Sequence, residues 1–232
     1  MKVLGIETAT AVCGAAVVHD RRVVAEGSFN EKNVHAEKLV PLVDSVLREA
    51  GMTLNDIDGV AVSIGPGSFT GLRIGLSVAK GLAYGTSKPM IAVPTLQALA
   101  QRVVEASIPG SSSLILAALD ARRDEVYCQL WGMQRGILAA EWDARDMTVS
   151  ALLQELGDRE AILTGDGSAK VLSVTNGSEH SLRLTFVGED LARCSAGSVA
   201  RVGELLLEQG KTDDAASLEP RYIKDFFLKK HS

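Results

Sequence analysis

Cysteine, histidine, aromatic residues and surplus positive charge are all scarce in this chain of 232 residues. Its three cysteines, Cys13, Cys128 and Cys194, are far apart, odd in number and free of metal-ligand spacing. That pattern excludes a disulfide framework and fits reduced, buried thiols in a cytoplasmic protein. The four histidines, His19, His35, His180 and His231, include no pair four residues apart, and the residue one turn after His35 is Leu39. Without two imidazoles on one helix face, no metal site is expected. Aromatic residues make up 4% of the chain and hydrophobic residues 46%, so the core must be aliphatic and rich in alanine. Lys and Arg number 24 against 29 Asp and Glu, a net charge of −5. A chain with that balance is not expected to grip nucleic acid by itself, because phosphate binding needs a basic surface. No stretch approaches the ~20 apolar residues of a membrane span. The apolar N-terminal run is broken by Glu7 and lacks a clean small-residue cleavage pattern, so no signal peptide is expected.

Glycine is plentiful, and its placement is the strongest signal. Residues 64–83, from Ile64-Gly65-Pro66-Gly67-Ser68-Phe69-Thr70-Gly71 to Leu82-Ala83, read as a glycine-rich turn feeding a helix. Gly71, Gly75 and Ala79 recur at four-residue spacing on one stripe, and Ser77, Gly81 and Gly85 on another. Glycine inside a helix costs about 1 kcal/mol relative to alanine. Its repetition therefore implies the close approach of another backbone, either the chain's own sheet or a partner helix. The turn lacks the Gly-Lys-Ser/Thr of a P-loop, and Pro66 removes a donor. A tight turn capped by Ser68 or Thr70 outweighs a nucleotide cradle there, and Gly165-Asp166-Gly167 likewise reads as a plain turn.

Apolar runs and alternation predict strands at 2–8, 13–18 and 22–29, a hairpin-linked meander. Leu39, Leu42, Val43, Val46 and Leu47 have helical spacing and predict a helix over 34–50, stopped by Gly51. A strand at 59–64, the glycine-fed helix to about residue 84, a strand at 89–93 and a helix over 95–104 follow. Residues 105–113 form the clearest break in composition. Beyond it come strands at 114–120 and 125–131 around a charged turn, a helix near 149–156, a strand at 161–164, a helix at 196–209 and an extended tail at 218–228. Meander, helix, strand and helix thus occur twice, with shrinkage. The expected fold is α/β and internally duplicated, with subdomains at 1–106 and 107–211 and with 212–232 packing back on the first.

Four segments together resemble the TsaB (YeaZ) family: Ile6-Glu7-Thr8-Ala9-Thr10, Gly65-Pro66-Gly67-Ser68-Phe69-Thr70-Gly71-Leu72-Arg73, Asp120-Ala121-Arg122-Arg123-Asp124-Glu125-Val126-Tyr127 and Glu219-Pro220-Arg221-Tyr222-Ile223. The resemblance runs in order along essentially the whole chain, and the glycine-rich string is its most specific part. It implies a duplicated actin-like/sugar-kinase-like (ASKHA) fold in two subdomains. It also implies a role in bacterial synthesis of threonylcarbamoyladenosine beside the anticodon of tRNAs reading codons that begin with A. In that family the chain is a scaffold rather than the transferase: it pairs with the catalytic TsaD paralogue, and the TsaE P-loop ATPase joins them. A separate enzyme supplies threonylcarbamoyl-AMP. ATP or ADP and a metal ion are then expected in the partner subunits and no cofactor in this one, tRNA is met only through the complex, and a homodimer is open when the chain is alone. The partner surface falls on the first two helices, at His35, Leu39, Leu42, Val43 and Val46 and at Gly71, Leu72, Gly75, Val78, Ala79 and Leu82. Weaker candidates for nucleotide contact are Glu7, Thr8, Ser68, Thr70 and Arg73. Related chains commonly carry aspartate where Glu7 stands, and the longer carboxylate weakens any inherited ATP chemistry. The alternative is a small-molecule kinase or ATPase of the same fold, with Glu7 and the turn at 120–124 around the nucleotide. A metallopeptidase is disfavoured by the missing histidine pair.

Overall fold

The computed structural model describes residues 1–31, 33–106, 114–134, 137–175 and 183–224. Residues 107–113 of the composition break at 105–113, the end of the tail, His180 and His231 lie outside the described residues.

The first unit begins with the meander β1 (Lys2–Glu7), β2 (Val12–His19) and β3 (Arg22–Asn30). Then follow α1 (His35–Glu49), β4 (Gly59–Gly65), α2 (Phe69–Thr86), β5 (Met90–Pro94) and α3 (Thr95–Glu105). Its sheet has the order β3-β2-β1-β4-β5. β1 and β2 pair antiparallel, as do β2 and β3, whereas β4 pairs parallel with both β1 and β5. The second unit holds β6 (Leu114–Asp120), β7 (Glu125–Gln134), β8 (Ile137–Ala140), β9 (Arg145–Thr148), α4 (Val149–Leu156), β10 (Ala161–Thr164), α5 (Ser168–Thr175), β11 (Leu184–Phe186) and α6 (Ala196–Glu208). Its order, β11-β10-β6-β7-β8, repeats the first sheet strand for strand, with β9 as an extra partner of β7. This is the duplicated actin-like fold. The sequence reading missed β8, β9 and β11, which have at most four residues each and are too short for a periodic signal, and α5, whose buried stripe of Ser168, Val171 and Thr175 is mostly polar.

Side-chain alternation assigns the layers. In β1, Leu4 and Ile6 point into one core with Leu39, Val43 and Val46 of α1 and with Leu76 and Ala79 of α2. Val3, one residue out of phase, points into a core with Val199, Ala200 and Val202 of α6. Gly5 lies on that same face: a Cβ there would press on the Ala200 backbone nitrogen at 2.7 Å, so its absence lets α6 lie close to the strand. In β6, Ile115, Ala117 and Leu119 face α3, while Leu116 and Ala118 face Leu152 and Leu153 of α4. The two units therefore exchange helices. α3, placed with residues 1–106 by the sequence reading, covers the second sheet, and α6, placed with 107–211, covers the first. Both boundaries were drawn by chain order, which says nothing about which sheet a linking helix reaches. Residues 213–224 run back along the first unit. No helix among the described residues is long and apolar enough to cross a membrane.

Candidate functional site: the glycine-rich turn and the two-helix face

The turn that starts α2 is held by the chain's own groups. The Ser68 hydroxyl caps the helix by accepting from the Gly71 amide at 3.2 Å, and the Ser68 amide donates to the Ala9 carbonyl at 2.6 Å. The Gly65 amide donates to the Thr95 hydroxyl at 3.2 Å. These amides are spent inside the protein and are not aimed at an anion. Of the two cap candidates it is Ser68 that caps, and Thr70 is exposed.

The first small-residue stripe is internal. A Cβ on Gly71 would overlap the Thr8 carbonyl oxygen, and one on Gly75 would overlap the Thr8 side chain. Ala79 is fully buried and Leu72 nearly so. Leu39, Leu42, Val43 and Val46 are likewise buried between α1 and the sheet. His35 is buried too, with its Nε2 3.1 Å from the carbonyl oxygens of both Thr10 and Val12. Both partners are acceptors, so Nε2 carries the hydrogen and ties the start of α1 to the β1–β2 loop. These residues, read from the sequence as partner contacts, are the chain's own core. The physical reason is that an apolar stripe has the same spacing whether it covers a sheet or a partner, and the first sheet needs this cover. Val78 and Leu82 are half-buried, packed over the same core.

The second stripe is open. Beside Gly81 and Gly85 a Cβ would meet nothing within 4 Å among the described residues, and Ser77 is exposed. Tyr84 on α2 is 87% exposed and Val40 on α1 is 55% exposed. The outward positions of α1 and α2 thus include two exposed apolar side chains, Val40 and Tyr84, and the small residues Ser77, Gly81 and Gly85. Sequence spacing contained this stripe, but nothing in it distinguished the open stripe from the buried one.

Of the nucleotide candidates, Thr8 and Ser68 lie together beside Gly71, and most are engaged by the chain's own groups. Glu7 is fully buried at the end of β1, where its Oε1 accepts from the Ala9 amide at 2.6 Å. Its Oε2 finds no hydrogen-bond partner among the described residues. Burial pushes its carboxyl up to about 7; the Ala9 amide and the Ser63 hydroxyl partly offset this, and the charge of Asp166 adds to it. Thr8 is buried against α2, and Arg73 lies over the Phe69 ring at 3.8 Å while donating to the Tyr222 hydroxyl at 3.1 Å. A cavity of about 250 Å³ between the two units is lined instead by Thr10, Asn30, Asp166, Ser168, Phe186 and Arg193 among others. Asp166 is held above the usual carboxylate range by burial, despite the Asp120 amide that donates to it at 2.9 Å. In the turn at 120–124, the Asp120 carboxylate pairs with Lys170 at 2.7 Å and accepts from the Arg122 amide.

Comparison with known proteins places this architecture. A family model described as "TsaD: tRNA N6-adenosine threonylcarbamoyltransferase" matches residues 24–221. The chain is 31% identical to the tRNA threonylcarbamoyladenosine biosynthesis protein TsaB of Escherichia coli (strain K12), covering 97% of this chain and 95% of that protein. It is 26% identical to the protein of the same name from Haemophilus influenzae, covering 97% and 94%. The solved structure of YeaZ from Pseudomonas aeruginosa matches with a TM-score of 0.79 at 27% identity, covering 95% of this chain and 99% of that one. Component A of (R)-2-hydroxyglutaryl-CoA dehydratase from Acidaminococcus fermentans matches with a TM-score of 0.54 at 10% identity, a likeness of fold alone.

Proposed function

The chain belongs to the TsaB (YeaZ) family, and from that premise we propose that it is the scaffold subunit of the complex that transfers a threonylcarbamoyl group to the adenosine 3′ of the anticodon. It serves the biosynthesis of threonylcarbamoyladenosine in tRNA alongside a TsaD-like partner, which carries the transfer chemistry. The observation that carries this reading is the collinear, full-length relation to the Escherichia coli protein, 97% of one chain against 95% of the other. The match of residues 24–221 to the TsaD family model adds that chain and partner share one ancestry of fold.

In this reading the partner docks on the outward face of α1 and α2. Two helices there can meet two helices of a partner of the same fold, as in a four-helix contact. The small residues Ser77, Gly81 and Gly85 let a helix backbone come close, Val40 and Tyr84 supply apolar contact, and the half-buried Val78 and Leu82 contribute the rest of the apolar surface. Alone, a second copy of the chain occupies the same face. A TsaE-like P-loop ATPase joins the pair. ATP, ADP and the metal ion belong to the partner subunits, and tRNA is engaged only by the assembly, consistent with the net charge of −5 on this chain.

The test is reconstitution. Purified TsaD-like and TsaE-like proteins, threonylcarbamoyl-AMP and unmodified tRNA are combined with and without this chain. The expected result is modified tRNA only when the chain is present. Full activity without it would overturn the reading, and ATP-driven phosphorylation of a sugar by the chain alone would favour the kinase alternative.

A further inference from the structure

Residues 213–224 are tied to the first unit at one point after another. Asp213 bridges to Met90 and accepts from the Ala92 amide at 2.8 Å. Ala215 and Leu218 pack on the first core, and the Ala216 carbonyl accepts from Lys80 at 3.3 Å. The Arg221 amide donates to the Ile64 carbonyl at 2.7 Å, and the Arg221 carbonyl fills the space beside Gly65 that a side chain would take. The Tyr222 ring lies 5.2 Å from that of Phe69, and its hydroxyl accepts from Arg73. Two residues later the segment has reached the other unit. Lys224 pairs with Glu125 at the start of β7 and lies 3.7 Å from Asp146 on β9. Pro66 and Gly67 of the first unit and Tyr127 of the second line one small hollow with residues 221–224.

The attachment is lopsided. Backbone bonds, apolar packing and ring contacts fix the strap to the first unit, whereas among the described residues its hold on the second is the partly exposed ion pairing of Lys224 with Glu125 and Asp146, beside the hollow at Tyr127. Such a pair is weak and screened by salt, so it can break while the rest of the strap stays docked. We propose that residues 213–224 form a latch, with Lys224 and its two carboxylates as the release point, that sets how far the two units open around the cavity between them. The strap also grips Phe69 and Arg73 in the first turn of α2, so its release is felt at the helix that bears the open stripe.

The experiment measures the distance between units by paired spin labels on Ser45→Cys of α1 and Ser150→Cys of α4, both exposed positions. The native Cys13, Cys128 and Cys194 are buried and stay unlabelled in the folded chain. Lys224→Glu is expected to shift the distance distribution to longer values and broaden it, and raised salt to do the same to the parent chain. Adding Glu125→Lys to Lys224→Glu is expected to restore the parent distribution by reversing the pair. An unchanged distribution in Lys224→Glu would overturn the latch, and so would a folded charge-swap variant that stays open. Loss of the circular dichroism signal in Lys224→Glu would overturn it as well, because a latch is released without unfolding the parts it joins.

Discussion

Thr8 and Glu7, adjacent at the end of β1, carry the sharpest residue-scale consequences. Gly71 and Gly75 both press on Thr8, but on different parts of it, the backbone carbonyl and the side chain respectively. Alanine at either position overpacks the core and is expected to destabilise by about 1–3 kcal/mol. Thr8→Ala should rescue Gly75→Ala and leave Gly71→Ala unrescued, because only the first clash is with atoms that the mutation removes. Denaturant titration of the single and double variants checks this, and equal rescue of both would show that the contacts are misassigned. Glu7 gives a pH signature. Its folded carboxyl is raised to about 7 from an ordinary 4.5, so the folded state keeps a proton that the unfolded state has already released. Its contribution is complete below 4.5 and is lost as pH rises through 7, a loss on the order of 3 kcal/mol. Glu7→Gln keeps the acceptor for the Ala9 amide and removes the titration. The variant should gain on the parent from pH 5 to about pH 7 in thermal unfolding and level off above it, and parallel pH profiles would contradict the buried-acid account.

At the scale of elements, α2 is one helix with two small-residue stripes of opposite use. The inner stripe lets it settle on β1, and the outer stripe is left open. A Cβ at Gly81 meets nothing within 4 Å among the described residues, so Gly81→Arg should fold normally, as should Val40→Asp at an exposed position of α1. Each should weaken pairing with the TsaD-like partner by about 2 kcal/mol or more, the typical loss at the centre of an interface. Gly75→Arg and Val43→Asp, whose sites are buried, should lose the fold instead. Circular dichroism with size-exclusion chromatography separates the two classes, and a folded Gly81→Arg chain that co-elutes with the partner as the parent does would move the interface elsewhere. Both stripes were legible in the sequence, as were α1, α2, α4 and the long strands, because their apolar spacing runs for two turns or more. Which stripe faces the sheet was not legible, since 3.6-residue periodicity marks a covered face without naming what covers it. The role of His35 was hidden for a similar reason: its bonds to Thr10 and Val12 join positions that only the folded meander brings together.

For the whole molecule, the duplication was readable from the order of elements, and the exchange of α3 and α6 between sheets was not. That exchange depends on contacts between residues such as Gly203 and Ala61, far apart in the chain. It joins the two units through their helices, and the strap at 213–224 touches both. The function rests on kinship along the full length of such a body, and the proposal adds the outward face of α1 and α2 as the docking surface. The most direct measurement is the content of threonylcarbamoyladenosine in total tRNA, by liquid chromatography and mass spectrometry of nucleosides, from source cells depleted of this chain. The account predicts that the modified nucleoside disappears on depletion, returns with the parent chain and does not return with Gly81→Arg. Undiminished threonylcarbamoyladenosine in depleted cells would contradict it.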